Sequence, residues 1–118
     1  MDKLENILSK IRRFRDERDW MQFHGHKDMA VSIAIETGEL LEHFQWKSED
    51  EVGKYVETHK NEISKEIADI AIYLFELADN MDIDILKAIH KKLDENAGKY
   101  PVSKAKGKAT KYNKLHLE

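Results

Sequence analysis

Two pairs of acids share one spacing. Glu36 and Glu39 stand three residues apart in AIETGELLEHFQW, and Glu66 and Asp69 repeat the interval in SKEIADIAIYLFELA. On a helix such a pair projects from neighbouring points of one face, about 60° apart. Both pairs intrude on apolar stripes. Glu36 interrupts Ile33, Leu40 and Phe44, while Glu66 abuts Ile63, Ile67 and Ile70, with Glu62 one turn earlier. Burying four like charges together is costly, and holding them neutral would demand large pKa shifts. A divalent cation removes the difficulty. With no cysteine in the chain, oxygen-only ligation suits a hard ion such as Mg²⁺ or Mn²⁺. A redox di-iron bundle would want Glu-x-x-His on two helices, and that pattern occurs nowhere. Magnesium commonly engages substrate phosphates, so the acids point to phosphate chemistry. Gly38, between the first two, fits a place where a ligand or another backbone comes close. The plainer reading of either pair alone is a solvated helix face.

A second group could hold a nucleotide. Lys92, Asn96 and Lys99 fall at i, i+4 and i+7, and Tyr100 follows. Ammonium, amide and phenol groups on one face make a polyphosphate clamp. Lysines on a helix are more often simply solvated. Trp20, Phe23, His24 and Trp46 flank the helix that carries Glu36, and stacking rings are what a base needs. The competing reading has both tryptophans plugging the ends of a small core. His26, His43, His59, His90 and His116 show no ligand spacing and read as surface or core histidines.

Helices must position these groups. Leu4, Ile7, Leu8, Ile11 and Phe14 mark a first amphipathic helix, and DWMQFHGH (19–26) reads as a loop. Asp28 is the expected cap of a second helix reaching about Trp46. Ser48 and Glu51 have capping-box spacing and open a short helix or the next long one. The third long helix is expected over about 56–80 and the fourth over about 83–98, capped by Asp82 and ended by Gly98 and Pro101. Residues 70–78, IAIYLFELA, are apolar nearly all round, which predicts burial on every side. A small four-helix domain cannot cover such a helix alone, so a homo-oligomer built on it is expected.

Composition sets the frame. The 118 residues, 41% hydrophobic and 36% charged, suit one domain, expected over 1–101 with a basic tail at 102–118. No apolar run of about 20 residues and no basic-then-apolar start occur, so neither a membrane span nor a secretory signal is expected. A cytoplasmic protein is the default. From Lys99 onward six lysines face one acid, Glu118; that balance of +5 within an overall −3 leaves −8 on residues 1–98. Such a tail can bind phosphates, or be a solvated end docking on an acidic neighbour. No nucleic-acid partner is expected.

Glu36-x-x-Glu39, a spacer, then Glu66-x-x-Asp69 resembles the metal motif of the MazG-like, all-α nucleoside triphosphate pyrophosphohydrolases. FRDERDW (14–20), QFH (22–24), GEL (38–40), FQWK (44–47), ADIAIYL (68–74) and KYP (99–101) resemble the dCTP pyrophosphatase branch of that superfamily. The likeness runs from about Ile11 to Tyr112. It implies an all-α four-helix bundle that oligomerises through its long central helices, as a tetramer built from two dimers. It implies Mg²⁺ held by Glu36, Glu39, Glu66 and Asp69. The implied reaction cleaves a (d)NTP between the α and β phosphates, giving (d)NMP and pyrophosphate, with dCTP or a modified pyrimidine dNTP foremost. By the same resemblance Lys92, Asn96, Lys99 and Tyr100 hold phosphates, and Trp20, His24 and Trp46 border the base, in sites shared between subunits. Lys99 stands where many relatives have arginine, and Ile35 where some have a further acid. A catalytically silent helical interaction module, or a protein that binds a nucleotide without cleaving it, are the alternatives.

Overall fold

A computed structural model describes residues 2–115; His116 and the last two residues of the expected tail lie outside them. Every regular element among the described residues is helical: α1 (Lys3–Glu17), α2 (His26–Glu42), α3 (Glu49–Asn80), α4 (Ile85–Lys99), and the single turns α5 (Val102–Ala105) and α6 (Tyr112–Leu115). A 3₁₀ turn (Met21–Phe23) lies within the stretch expected to be loop. The chain divides into two compact units, Met1–Asp82 and Ile83–Glu118.

In the first unit α3 is the spine, with α2 as its main partner and α1 packing more lightly. Ile11, Met29 and Ile63, one from each helix, form its buried apolar centre. Local chemistry sets the ends. Asp2 caps α1, its Oδ1 accepting from the Glu5 N–H at 2.7 Å. Ser48 caps α3 as the spacing predicts, accepting from the Glu51 N–H at 3.2 Å. Asp28 does not cap α2. The N-cap is Gly25, and Asp28 sits within the first turn, where its charge complements the helix dipole. The helix stops at Glu42, and residues 43–46 form turns ending at Trp46, whose φ of 67° is the left-handed region a bulky residue rarely adopts.

Within α3 a shorter and a longer helical stretch meet at a kink where His59 leaves helical geometry (φ −120°, ψ 19°), in keeping with the reading of a short helix opened by Ser48 ahead of the long one. The bend has a local cause. The His59 ring stacks on Tyr55 at 3.9 Å, and its Nδ1 lies 3.1 Å from the Tyr55 carbonyl, the acceptor its own backbone N–H would use in a regular helix.

An ion pair pins α1 to the end of α3. Arg12 Nε and Nη2 donate to the two oxygens of Asp79 at 2.8 and 2.6 Å, while Nη1 reaches Glu5 at 3.0 Å. The greasy run of α3 is only partly covered. Ile72 and Leu74, with Ile67 just before, are exposed, so the expected burial on every side is absent within one chain.

In the second unit α4 is capped by Asp84, not Asp82: Oδ1 of Asp84 accepts from the Lys87 N–H at 3.1 Å, and Asp82 takes a left-handed φ of 56°. The helix runs through Gly98 to Lys99. Tyr100 meets Tyr112 edge-on at 6.2 Å, and the Lys99 ammonium lies 4.7 Å from the Tyr112 ring centre. Leu86, Ile89 and Leu93 give α4 an exposed apolar stripe.

Candidate metal and nucleotide site

Packing α2 against α3 brings three of the four expected acids together. One carboxylate oxygen from each of Glu36, Glu39 and Glu66 lies within 4.8 Å of the other two. Glu36 and Glu66 are half-buried and Glu39 is exposed. Oε2 of Glu36 and Oε2 of Glu66 are each buried with no hydrogen-bond partner. A buried carboxylate oxygen with neither donor nor cation is unfavourable, and a set of hard anionic oxygens facing one point is what a divalent cation coordinates. The residues fit such an ion. Lost solvation, then the hydrogen-bonded and charged neighbour Glu39, then Glu66 and the charge of Asp69, push the Glu36 carboxyl up to about 7.

Asp69 stands outside the three, one turn beyond Glu66 and exposed. It lines a groove of about 520 Å³ shared by Phe14 of α1, Trp20, His24, and Tyr73 and Glu76 of α3. That volume lies in the range of small-molecule sites. Trp20 sits edge-on to Phe14 at 5.6 Å and tilted to His24 at 6.3 Å. Burial, together with the charges of Glu36, Asp69 and Glu76, raises the Tyr73 phenol above its ordinary value. An acidic cluster and an aromatic groove thus adjoin through Asp69.

Two groove residues escaped the sequence reading. Glu76 is the buried charged residue of the described chain, 4% exposed, with its oxygens 2.7 and 3.0 Å from Nδ1 of His24. The signal was present, since Glu76 interrupts IAIYLFELA as Glu36 interrupts its own stripe. Tyr73, in the same run, gave no comparable signal.

Other expectations fare differently. Trp46 is 92% exposed, so it does not plug the core, and within one chain it is not among the groove residues. Nothing lies within 4 Å of a Cβ built on Gly38, so no described part of this chain requires glycine there. Lys92, Asn96, Lys99 and Tyr100 all lie in the second unit. Lys92 and Lys99 each hold Glu95 at 3.3 Å, which lowers the Glu95 pKa. His43 bonds to the Tyr55 hydroxyl at 2.7 Å and His59 stacks on the same ring, as suits structural histidines.

Acids from two packed helices converging beside an aromatic groove, on a chain whose regular elements among the described residues are all helical, define the class of this protein. The chain belongs to the MazG-like family, whose model matches residues 31–115. It is 39% identical over 114 residues to dCTP pyrophosphatase 1 of Rattus norvegicus, covering 95% of this chain and 67% of that protein. To dCTP pyrophosphatase 1 of Homo sapiens it is 35% identical over the same length. Among solved structures, a pyrophosphatase from Archaeoglobus fulgidus DSM 4304 superposes with a TM-score of 0.82 at 44% identity, covering 86% of this chain and 94% of that one.

Proposed function

We propose that the protein is a Mg²⁺-dependent nucleoside triphosphate pyrophosphohydrolase. It converts a (d)NTP, with dCTP or a modified pyrimidine dNTP foremost, to the (d)NMP and pyrophosphate. The observation that carries this reading is the convergence of Glu36, Glu39 and Glu66, with two orphaned buried oxygens, beside the aromatic groove. The names of the similar pyrophosphatases support it.

Glu36, Glu39 and Glu66, with Asp69 at the groove margin, would hold the cation, and Mn²⁺ would serve in place of Mg²⁺. When bound, the ion polarises phosphate oxygens and lowers the pKa of water. The remaining tasks fall to the chain. Water oxygen bonds to the α-phosphorus, the bond from that phosphorus to the α–β bridging oxygen breaks, and pyrophosphate leaves with the bonding pair. Glu39, the exposed acid of the three, accepts the water's proton. Lys92 and Lys99, exchanging Glu95 for substrate, offset charge gathering on pyrophosphate, with Asn96 and Tyr100 orienting the chain of phosphates. Trp20 and His24 border the base.

The same reading includes a homotetramer, a dimer of dimers. Exposed Ile67, Ile72 and Leu74 on α3, and an indole left almost wholly in water at Trp46, support burial against other copies. Trp46 then borders the base of a neighbouring subunit's site. No helix among the described residues is long and apolar enough to cross a membrane, which is compatible with a cytoplasmic enzyme.

The test is to incubate purified protein with each (d)NTP, with and without Mg²⁺, and chromatograph the products. Monophosphate and pyrophosphate appearing only with the metal are expected. Binding without turnover would instead favour a nucleotide-holding regulator, and neither binding nor turnover a helical interaction module.

A further inference from the structure

Trp46 is unfavourable in two ways within its own chain. Its φ of 67° is one that a bulky residue keeps only where its surroundings impose it. The other non-glycine residues of positive φ among those described, Asp19 and Asp82, carry short polar side chains that tolerate it. The Trp46 indole, moreover, is 92% exposed and gains no burial in return. Something must hold this turn, and Tyr55 on α3 meets it on both sides of Trp46. Nδ1 of His43 lies 2.7 Å from the Tyr55 hydroxyl, and the Lys47 ammonium lies 4.4 Å from the centre of the Tyr55 ring. The ring is itself fixed from α3, since His59 stacks on it at 3.9 Å and 5° from parallel. Nδ1 of His59 is in turn 2.8 Å from the Thr58 hydroxyl and 3.1 Å from the Tyr55 carbonyl. His43, Lys47 and Tyr55 are half-buried, whereas the indole between the two tethers stands in water.

We infer that Tyr55 is a positioning residue. It ties residues 43 and 47 to α3 and so presents the Trp46 indole, already ordered, to the base of a nucleotide in a neighbouring copy's site. An aromatic ring ordered before contact spares the entropy of ordering it on binding. Were the tethers there only to close the connection between α2 and α3, the direction and order of the indole would have no consequence for the ligand. The inference rests on the proposed nucleotide site for its ligand, but the ordering of Trp46 by Tyr55 is a property of the protein alone.

Two measurements on the full chain test it. The first is ¹⁵N relaxation of the indole N–H groups in nucleotide-free protein, with the Trp46 signal assigned by its loss in Trp46→Phe. In the wild type that group should be as rigid as the helical backbone, and in Tyr55→Leu it should gain fast motion while Trp20 is unchanged. A mobile Trp46 in the wild type, or one equally rigid in Tyr55→Leu, would overturn the inference. In the second, Tyr55→Leu should raise KM for dCTP roughly fivefold, the worth of about one weak tie, with kcat nearly kept. Placed on Trp46→Ala, the same change should add less than about twofold, because Tyr55 acts through the indole. A full further rise in that background, or a loss confined to kcat, would overturn the inference. If circular dichroism shows Tyr55→Leu unfolded, Tyr55→Phe, which loses only the hydroxyl facing His43, should move both readouts the same way by less; no movement overturns it. If the wild type turns over no nucleotide, the proposed function fails separately. The comparison is then made on dissociation constants of the α,β-imido analogue of dCTP, and no binding of that analogue overturns the inference as well.

Discussion

Glu36 on α2 and Glu66 on α3 each bury one carboxylate oxygen that no donor reaches, within a cluster completed by Glu39 whose oxygens converge within 4.8 Å. The fold holds like charges together across a helix pair, a repulsive arrangement in the metal-free chain. Glu36→Gln should therefore raise the thermal midpoint of the metal-free protein, by the equivalent of about 1 kcal/mol, while Mg²⁺-dependent hydrolysis is lost. Differential scanning calorimetry in EDTA and a pyrophosphate-release assay check the two halves. A destabilised metal-free variant would mean the cluster does not repel itself.

Glu39 is the exposed acid of the three. Glu39→Gln should lower kcat by about a hundredfold or more, as removal of a proton acceptor does, with circular dichroism unchanged. Near-normal pyrophosphate release would place proton transfer elsewhere.

The bidentate contact of Arg12 with Asp79 joins α1 to α3. The hydrogen-bonded guanidinium of Arg12, opposed by some loss of solvation, holds the Asp79 carboxyl below its ordinary value. The pair is partly solvated, so Asp79→Asn should cost only about 1 kcal/mol at neutral pH. A carboxyl with a depressed folded pKa contributes stability above its unfolded value, near 4, and loses it as pH falls through the folded value. Urea titrations should thus show wild type and Asp79→Asn diverging above about pH 4 and converging in stronger acid. A gap that stays constant down to pH 2 would mean the ion pair does not supply it.

Trp20 lines the groove, and Trp46 lies in solvent on the single chain. If both border the base, one from each of two subunits, Trp20→Ala and Trp46→Ala should each raise KM for dCTP about tenfold, as expected for a lost stacking contact. A mixture of Glu36→Gln and Trp46→Ala subunits, each impaired alone, should regain activity on exchange, because one partner brings the acid and the other the indole. Failure of mixed oligomers to recover would put the two side chains in the same subunit's site or Trp46 outside it.

The acidic cluster was legible because acids that interrupt an apolar stripe violate the helix pattern, and the violation is periodic. Glu76 breaks the same rule. It passes as a blemish in a greasy run because its partner, His24, is 52 residues away in sequence and meets it only when α3 lies beside the 3₁₀ turn. The caps show the limit of local pattern. Ser48 and Glu51 were readable, but Asp28, Asp82 and Asp84 offer the same side chain, and only backbone geometry decides that Asp84 caps while Asp82 turns left-handed. The sequence allowed either a short helix or the start of the long one after Ser48, and only backbone geometry places the kink between the two stretches at His59. Trp46 shows the converse case, a large ring whose full exposure no spacing rule could give.

The most direct test of the central claim is anomalous diffraction from crystals soaked in Mn²⁺, recorded with and without the α,β-imido analogue of dCTP. A peak within coordination distance of Glu36, Glu39 and Glu66, lost in Glu36→Gln, is the expected result. Protein that hydrolyses dCTP in Mn²⁺ but shows no peak at those three carboxylates, with or without the analogue, would contradict it.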